Sequence, residues 1–248
     1  DLTGVDSAKV ETDLRRVIES DSVDAVVSAT PNHWHALTAI WACEAGKHVY
    51  AEKPLAYSLW ESQQMVRAAK KYDRIVQCGT QRRSFPIIRS IMERIRAGEF
   101  GRPIRARVVT RKFRESIGKR SEPMPIPSEV DYNLWAGPAP MSPIYRNELH
   151  YDWHWMWETG NGELANNGCH MLDLACWALG QEKLAPAVAA IGGRLYWNDA
   201  GETPNTLVAY YDYRPAPIIA EVHNLAETPG ARKAGEFQGL QHGFIVEC

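Results

Sequence analysis

At 248 residues the chain has room for one large domain or two small ones, because domains run to about 100–200 residues. A composition of 45% hydrophobic and 23% charged residues is that of an ordinary globular protein and excludes disorder, collagen and coiled coil. The net charge of −2, from 28 basic and 30 acidic residues, argues against nucleic acid as the main partner, and no apolar run approaches the ~20 residues of a membrane span.

Residues 10–20 are helix-like, and residues 25–29 (AVVSA) form a short β-branched run that leads into Thr30, Pro31 and Asn32. Large apolar residues at helical spacing (Trp34, Leu37, Ile40, Trp41) predict a helix over 33–45, stopped by Gly46 as its C-cap. A second strand covers 48–52 (HVYAE) and ends at Lys53 and Pro54, and a helix covers 58–72. A third strand over 75–78 ends in Gly79, Thr80 and Gln81, and a helix over 87–97 closes on Gly98.

This alternation predicts βαβ units and a parallel sheet with helices on its faces. Ligands of such sheets bind beyond the carboxyl ends of the strands, which nominates the polar turns 30–32, 52–54 and 79–81 as a binding rim. Each turn alone also fits an ordinary strand-to-helix connection. The match to the dinucleotide glycine fingerprint is Gly160, Gly162 and Ala165. A strand must directly precede that fingerprint, and 153–159 (WHWMWET) is a poor one, so a glycine-rich helix entry is expected there instead.

From about Gly101 the pattern changes. Residues 104–113 alternate, with Ile104, Ala106, Val108 and Thr110 opposed to Arg105, Arg107 and Arg111. They predict a half-exposed strand of an antiparallel sheet whose arginines form a solvated face. A Pro-rich loop runs through Pro143, residues 163–179 are helical and closed by Gly180, and strands follow over 187–196, 206–213 and 218–225. Five scattered cysteines (Cys43, Cys78, Cys169, Cys176, Cys248) with no Cys-x-x-Cys pair predict reduced thiols rather than a disulfide scaffold. Both ends read as cut: the chain starts at Asp1 without methionine, and 243–248 looks like a strand begun and not finished.

Residues 29–35 (ATPNHWH) followed by 45–55 (AGKHVYAEKPL) strongly resemble the Gfo/Idh/MocA family of nicotinamide-dependent oxidoreductases, with the Glu52, Lys53, Pro54 triplet as the most specific motif. Residues 162–173 (GELANNGCHMLD) resemble the family's helix bearing an Asp-x-x-x-His pair. The resemblance runs through nearly the whole chain, and 153–162 and 198–206 are similar to a sugar-acting bacterial branch often exported by the twin-arginine route, so both cytoplasm and periplasm stay open. The resemblance implies an α/β chain: a partial Rossmann-like parallel-sheet domain over 1–100, then an α+β substrate domain over 101–248 with a mostly antiparallel sheet, incomplete at its C-terminus. It implies NAD or NADP as cofactor, a small carbohydrate as substrate, no membrane partner, and a homo-oligomer for the full-length protein.

By the same resemblance Thr30, Pro31, Asn32, His35, Glu52, Lys53, Pro54 and Gln81 would face the cofactor, and Lys53, His170 and Asn166 would be catalytic. His154, Trp155, Asn166 and His170 would meet the substrate. Two departures stand out. The family's glycine loop and the acidic residue after its second strand would lie upstream of Asp1, and the family's Asp corresponds to Asn166, an amide that takes up no proton. A histidine near pKa ~6.5 suits a base that accepts a hydroxyl proton, and an ammonium suits developing alkoxide charge. Taken singly, His170 also fits a core or capping histidine and Lys53 a surface lysine; the two linked motifs favour catalysis. The run 151–157 (YDWHWMW) interleaves rings with His154, as a sugar-stacking surface or as a buried aromatic cluster. His150 and His154, or His33 and His35, have metal-like spacing but no evident third ligand, so no metal is expected.

The leading function is hydride transfer between NAD(P) and a sugar or polyol hydroxyl. The alternative is a redox-neutral NAD-dependent glycosidase or lyase working through a transient keto intermediate. A sugar- or nucleotide-sensing protein and a metal-dependent hydrolase are weaker competitors.

Overall fold

The computed structural model describes residues 9–248. The first sheet is parallel, with order β1 (Ala25–Ser28), β2 (His48–Glu52), β3 (Val76–Gly79). Helix α1 (Leu14–Glu19) precedes it, and α2 (Asn32–Glu44) and α3 (Leu59–Lys71) make the crossovers. The register aligns Val26, Val49 and Val76 in one row, with Ser28, Ala51 and Cys78 in the next row on the same face. Ala36, Ala39, Ala42 and Cys43 of α2 and Met65 and Ala68 of α3 pack on that face, small side chains that let α2 approach the sheet closely. The intervening row (Val27, Tyr50, Gln77) is uncovered, leaving Val27 71% exposed. Helix α3 starts on a capping box: Ser58 accepts from the Glu61 amide, and the Glu61 carboxylate accepts from the Ser58 amide.

The second sheet comprises β4 (Arg105–Arg111), β5 (Val188–Gly193), β6 (Thr206–Tyr211), β7 (Ile218–His223) and β8 (His242–Glu247), in the order β5-β6-β7-β4-β8. Pairings are antiparallel except for β4 with β7. The mostly antiparallel second sheet thus matches expectation, but the half-exposed solvated β4 needs correcting. The strand lies in the sheet interior, between β7 and β8. Its arginines meet carboxylates of the neighbouring strands: Arg107 and Arg111 pair with Glu221, and Arg105 with Glu247.

Helix α4 (Pro86–Arg96) sends Met92 and Ile95 into the core of this second sheet, so by packing it belongs there although it precedes residue 100. The Pro-rich segment contains a short helix, α5 (Tyr132–Ala136), started by Asp131 accepting from the Leu134 amide. The continuous helix expected over 163–179 is divided: a π-helical turn, Leu164–Gly168, leads into α6 (Cys169–Ala178). Met171, Leu174 and Ala175 of α6 rest on Ala106, Val108, Ile218 and Ala220.

Candidate active site

The carboxyl ends of β1, β2 and β3 face the π-turn and the start of α6. Lys53, just past β2, reaches across and its Nζ donates to the Asn166 backbone carbonyl at 2.7 Å and to Asn166 Oδ1 at 3.1 Å. An ammonium only donates, so it fixes the amide's oxygen towards itself. The Asn166 Nδ2 is left buried and without a partner, a donor available to a bound oxygen. The π-turn widens the helix at this point, where a Cβ on Gly168 would sit 3.0 Å from Leu164 and 3.5 Å from Thr110 Oγ1.

His170 follows on α6, 7% exposed, its Nδ1 also unpartnered. Burial, and then the charges of Lys53 and Arg82, hold its pKa below the usual histidine value, so the ring is neutral near pH 7 and able to take a proton. Cys169, beside it, is no nucleophile, because burial pushes its thiol up to about 12. His154 stacks on Trp153 with ring centroids 3.6 Å apart, and its Nδ1 lies against the Tyr151 carbonyl. Burial, with Lys53 and Arg114 nearby, lowers it to about 4. Lys53, Asn166 and His170 therefore converge, and the Lys53 charge reaches His154 as well.

Others do not. Trp155 is 4% exposed and lies under the Arg114 guanidinium, which makes it part of the packing rather than a substrate platform. His35 is 1% exposed; its ring lies between the Pro54 carbonyl (2.8 Å) and the Thr30 carbonyl (2.9 Å), holding two rim turns together with no nitrogen left for a cofactor. Asn32 is likewise buried. It donates to Asn161 Oδ1 at 3.0 Å, and Asn161 donates on to the Tyr57 carbonyl. His33 and Trp34 complete this tie between the two sheets through the carbonyls of Leu134, Trp135 and Thr159. Gln81 stays at the exposed start of a 3₁₀ turn.

A buried ion pair that sequence spacing does not reveal supports the site. Glu163, 0% exposed, accepts from Arg114 Nε at 2.9 Å and from its NH2 at 3.3 Å, and also from Asn167. Arg114 in turn stacks over Tyr151 and Trp155. This pair anchors the π-turn that carries Asn166 to the aromatic run that carries His154.

Two features leave room for a bound group along the rim. Thr30 and Pro31 line a cavity of about 470 Å³ with Asp13, Trp34 and Leu134. Gly79 leaves room over Glu52, where a Cβ would come within 3.0–3.1 Å. Among the described residues no glycine-rich turn follows a strand of this sheet. The Gly160 to Ala165 match leads into the π-turn, where a Cβ on Gly160 would meet the His154 carbonyl at 2.5 Å, so it is a packing feature. No group of three or more His, Cys, Asp or Glu placed to hold a metal occurs among the described residues.

The chain belongs to the Gfo/Idh/MocA oxidoreductase family, whose NAD-binding Rossmann fold is matched over residues 3–80 and whose C-terminal α/β domain is matched over residues 87–227. It is 39% identical over 99 residues to the scyllo-inositol 2-dehydrogenase (NAD(+)) of Bacillus subtilis, a match covering 40% of this chain and 29% of that protein. It is 36% identical over 93 residues to the 2,7-anhydro-N-acetylneuraminate hydratase of Mediterraneibacter gnavus, covering 38% and 25%. A levoglucosan dehydrogenase solved in complex with NADH shares the fold at TM-score 0.65 and 24% identity, covering 90% of this chain and 53% of that one. The chain thus spans about half the length of that relative.

Proposed function

We propose that the protein carrying this chain is a nicotinamide-dependent oxidoreductase that moves a hydride between NAD(P) and a hydroxyl carbon of a sugar or polyol. The observation that supports it most is the Lys53 to Asn166 contact, which joins the rim of the nucleotide-side sheet to the helix that bears His170. The nicotinamide, when bound, supplies the hydride acceptor. The neutral His170 imidazole takes the hydroxyl proton, at a position where burial keeps it a base near neutral pH. Lys53 donates towards the same oxygen and stabilises its growing negative charge, while the Asn166 NH2 offers a second donor. Thr30, Pro31, Glu52, Pro54 and Gln81 border the cofactor, and His154 contributes a hydrogen-bonding edge to the sugar.

Asn166 also favours a second reading. An amide cannot relay a proton, so a redox-neutral elimination in which the hydride returns each cycle fits the same residues, and one relative bears the name of a hydratase. Offering sugars, polyols and glycosides to the whole protein while following nicotinamide absorbance and product together separates the two. Reduced cofactor in proportion to product is expected. Product accumulating over a flat absorbance trace would transfer the assignment to the redox-neutral alternative.

A further inference from the structure

The core stripe of the second sheet turns polar at one end. Ala106, Val108 and Thr110 of β4 lie beside Val246, Phe244 and His242 of β8, and the first two pairs pack under α6. The third pair, Thr110 and His242, falls beneath the π-turn and the start of α6, where Gly168 approaches Thr110 and His170 lies near His242. Residues directly opposite in an antiparallel ladder share a face with Cβ atoms about 5 Å apart, so the two side chains are neighbours.

Here the polar atoms lack partners. Thr110 Oγ1, both ring nitrogens of His242 and His170 Nδ1 are buried and make no hydrogen bond. Buried polar groups are nearly always bonded in folded proteins, so four orphan atoms at one spot mark a place where something else supplies the partners. The surrounding charge indicates what it is. Arg82, from the turn after β3, and Lys112, just past β4, both raise the positive potential at the His242 ring. Arg82 acts on His170 as well, and its guanidinium forms no ion pair or hydrogen bond among the described residues. Of the two acids that face His170, Asp173 is held by Arg83 at 2.7 Å through both oxygens, and Glu52 sits on the Lys53 side.

We propose that Thr110, His242 and Arg82, next to His170, form a subsite for a carboxylate of the substrate, so that the carbohydrate taken is a sugar acid rather than a neutral sugar. A neutral imidazole and a hydroxyl each donate one hydrogen bond, and a carboxylate accepts several while balancing the cations; a sugar hydroxyl does only the first. This rests on reading the cleft as a carbohydrate site.

The test is calorimetric binding of D-glucuronate, D-glucose and D-glucose 6-phosphate to the whole protein, alone and with His242→Leu and Arg82→Gln. Leucine continues the apolar stripe beside Phe244, and Arg82 is partly exposed, so both variants are expected to fold. Glucuronate is expected to bind at least about tenfold more tightly than glucose, and each variant is expected to bring that ratio close to one. Equal binding of acid and neutral sugar, as where ordered water alone fills the spot, overturns the proposal. Tighter binding of the phosphate overturns the carboxylate assignment, and an acid preference that survives both variants removes His242 and Arg82 from it. Assaying reduced cofactor with the same sugars keeps the outcomes separate. Absence of hydride transfer with every compound counts against the oxidoreductase reading and leaves the binding ratios to decide the subsite.

Discussion

Replacing Lys53 by methionine removes one ammonium and keeps most of the aliphatic stem. Two contacts disappear, at 2.7 Å to the Asn166 carbonyl and 3.1 Å to its Oδ1, together with the charge that faces the proposed alkoxide. Hydrogen bonds to charged groups contribute about 1.5–3 kcal/mol each, but the two share one ammonium whose own desolvation cost disappears with it, so folding stability should fall by ~3 kcal/mol. Loss of a preorganised donor at developing charge typically costs ~10²–10³ in kcat, about 2.7–4 kcal/mol. Release of Asn166 extends the expected range to ~10²–10⁴. The pH profile gives a second readout. Lys53 is one of the charges that lower the pKa of His170, after burial itself. Without it the imidazole titrates at higher pH, so the acid limb of kcat/KM should move upwards. Steady-state kinetics of the whole protein with NAD(P) across pH 5–9, with circular dichroism to verify folding, checks both. A folded variant that loses less than tenfold in kcat and keeps its acid limb in place would refute the role given to Lys53.

Further outcomes follow from the same geometry. Glu163→Ala leaves Arg114 as a buried charge without its partner, so unfolding in urea should show a loss of about 3–5 kcal/mol, while replacing Glu163 and Arg114 together by methionine should recover most of it. His170→Ala should lower turnover by ~10²–10⁴ in a folded protein, and unchanged turnover removes it as the base. Stability should decline as pH falls from ~6.5 towards about 4. His154 and His242 are each lowered to about 4, first by burial, and His33 and His35 are lowered as well, so in that window the unfolded chain binds more protons. Asp152, raised to about 6 by burial and then by Glu148, acts in the opposite direction and offsets only part of this. Urea midpoints that do not fall between pH 7.5 and pH 5 would contradict the burial of these rings.

The two sheets were legible because their signals are local. A β-branched run, a polar turn and an amphipathic segment recur at βαβ spacing, and the observed strands fall within about a residue or two of the expected ones in the first sheet. What was illegible depends on partners distant in the chain. The alternation of 104–113 shows that one face is apolar, but not which strands flank it, so the interior place of β4 and its pairing with Glu221, 110 positions away from Arg111, emerge only from topology. The π-turn is hidden for a related reason: 163–179 keeps a helical pattern throughout, and the extra residue is accommodated where Gly168 meets Thr110 of β4.

The polar residues of 30–35 show how the motif and the fold divide the work. By sequence Thr30, Pro31, Asn32 and His35 stand together at a strand end as cofactor candidates. In the fold, helix α2 begins at Asn32, so successive side chains turn by about 100° and face different neighbours. Asn32 and His33 turn to the second sheet's loops, His35 turns inward to the carbonyls of Thr30 and Pro54, and only Thr30 and Pro31 stay on the open rim. The buried members are thereby structural, yet they bear on chemistry. His35 positions the turn that carries Lys53, and Asn32 and His33 hold the two sheets at the separation across which Lys53 meets Asn166. A motif residue can therefore matter to the reaction through the distance it sets, without touching cofactor or substrate.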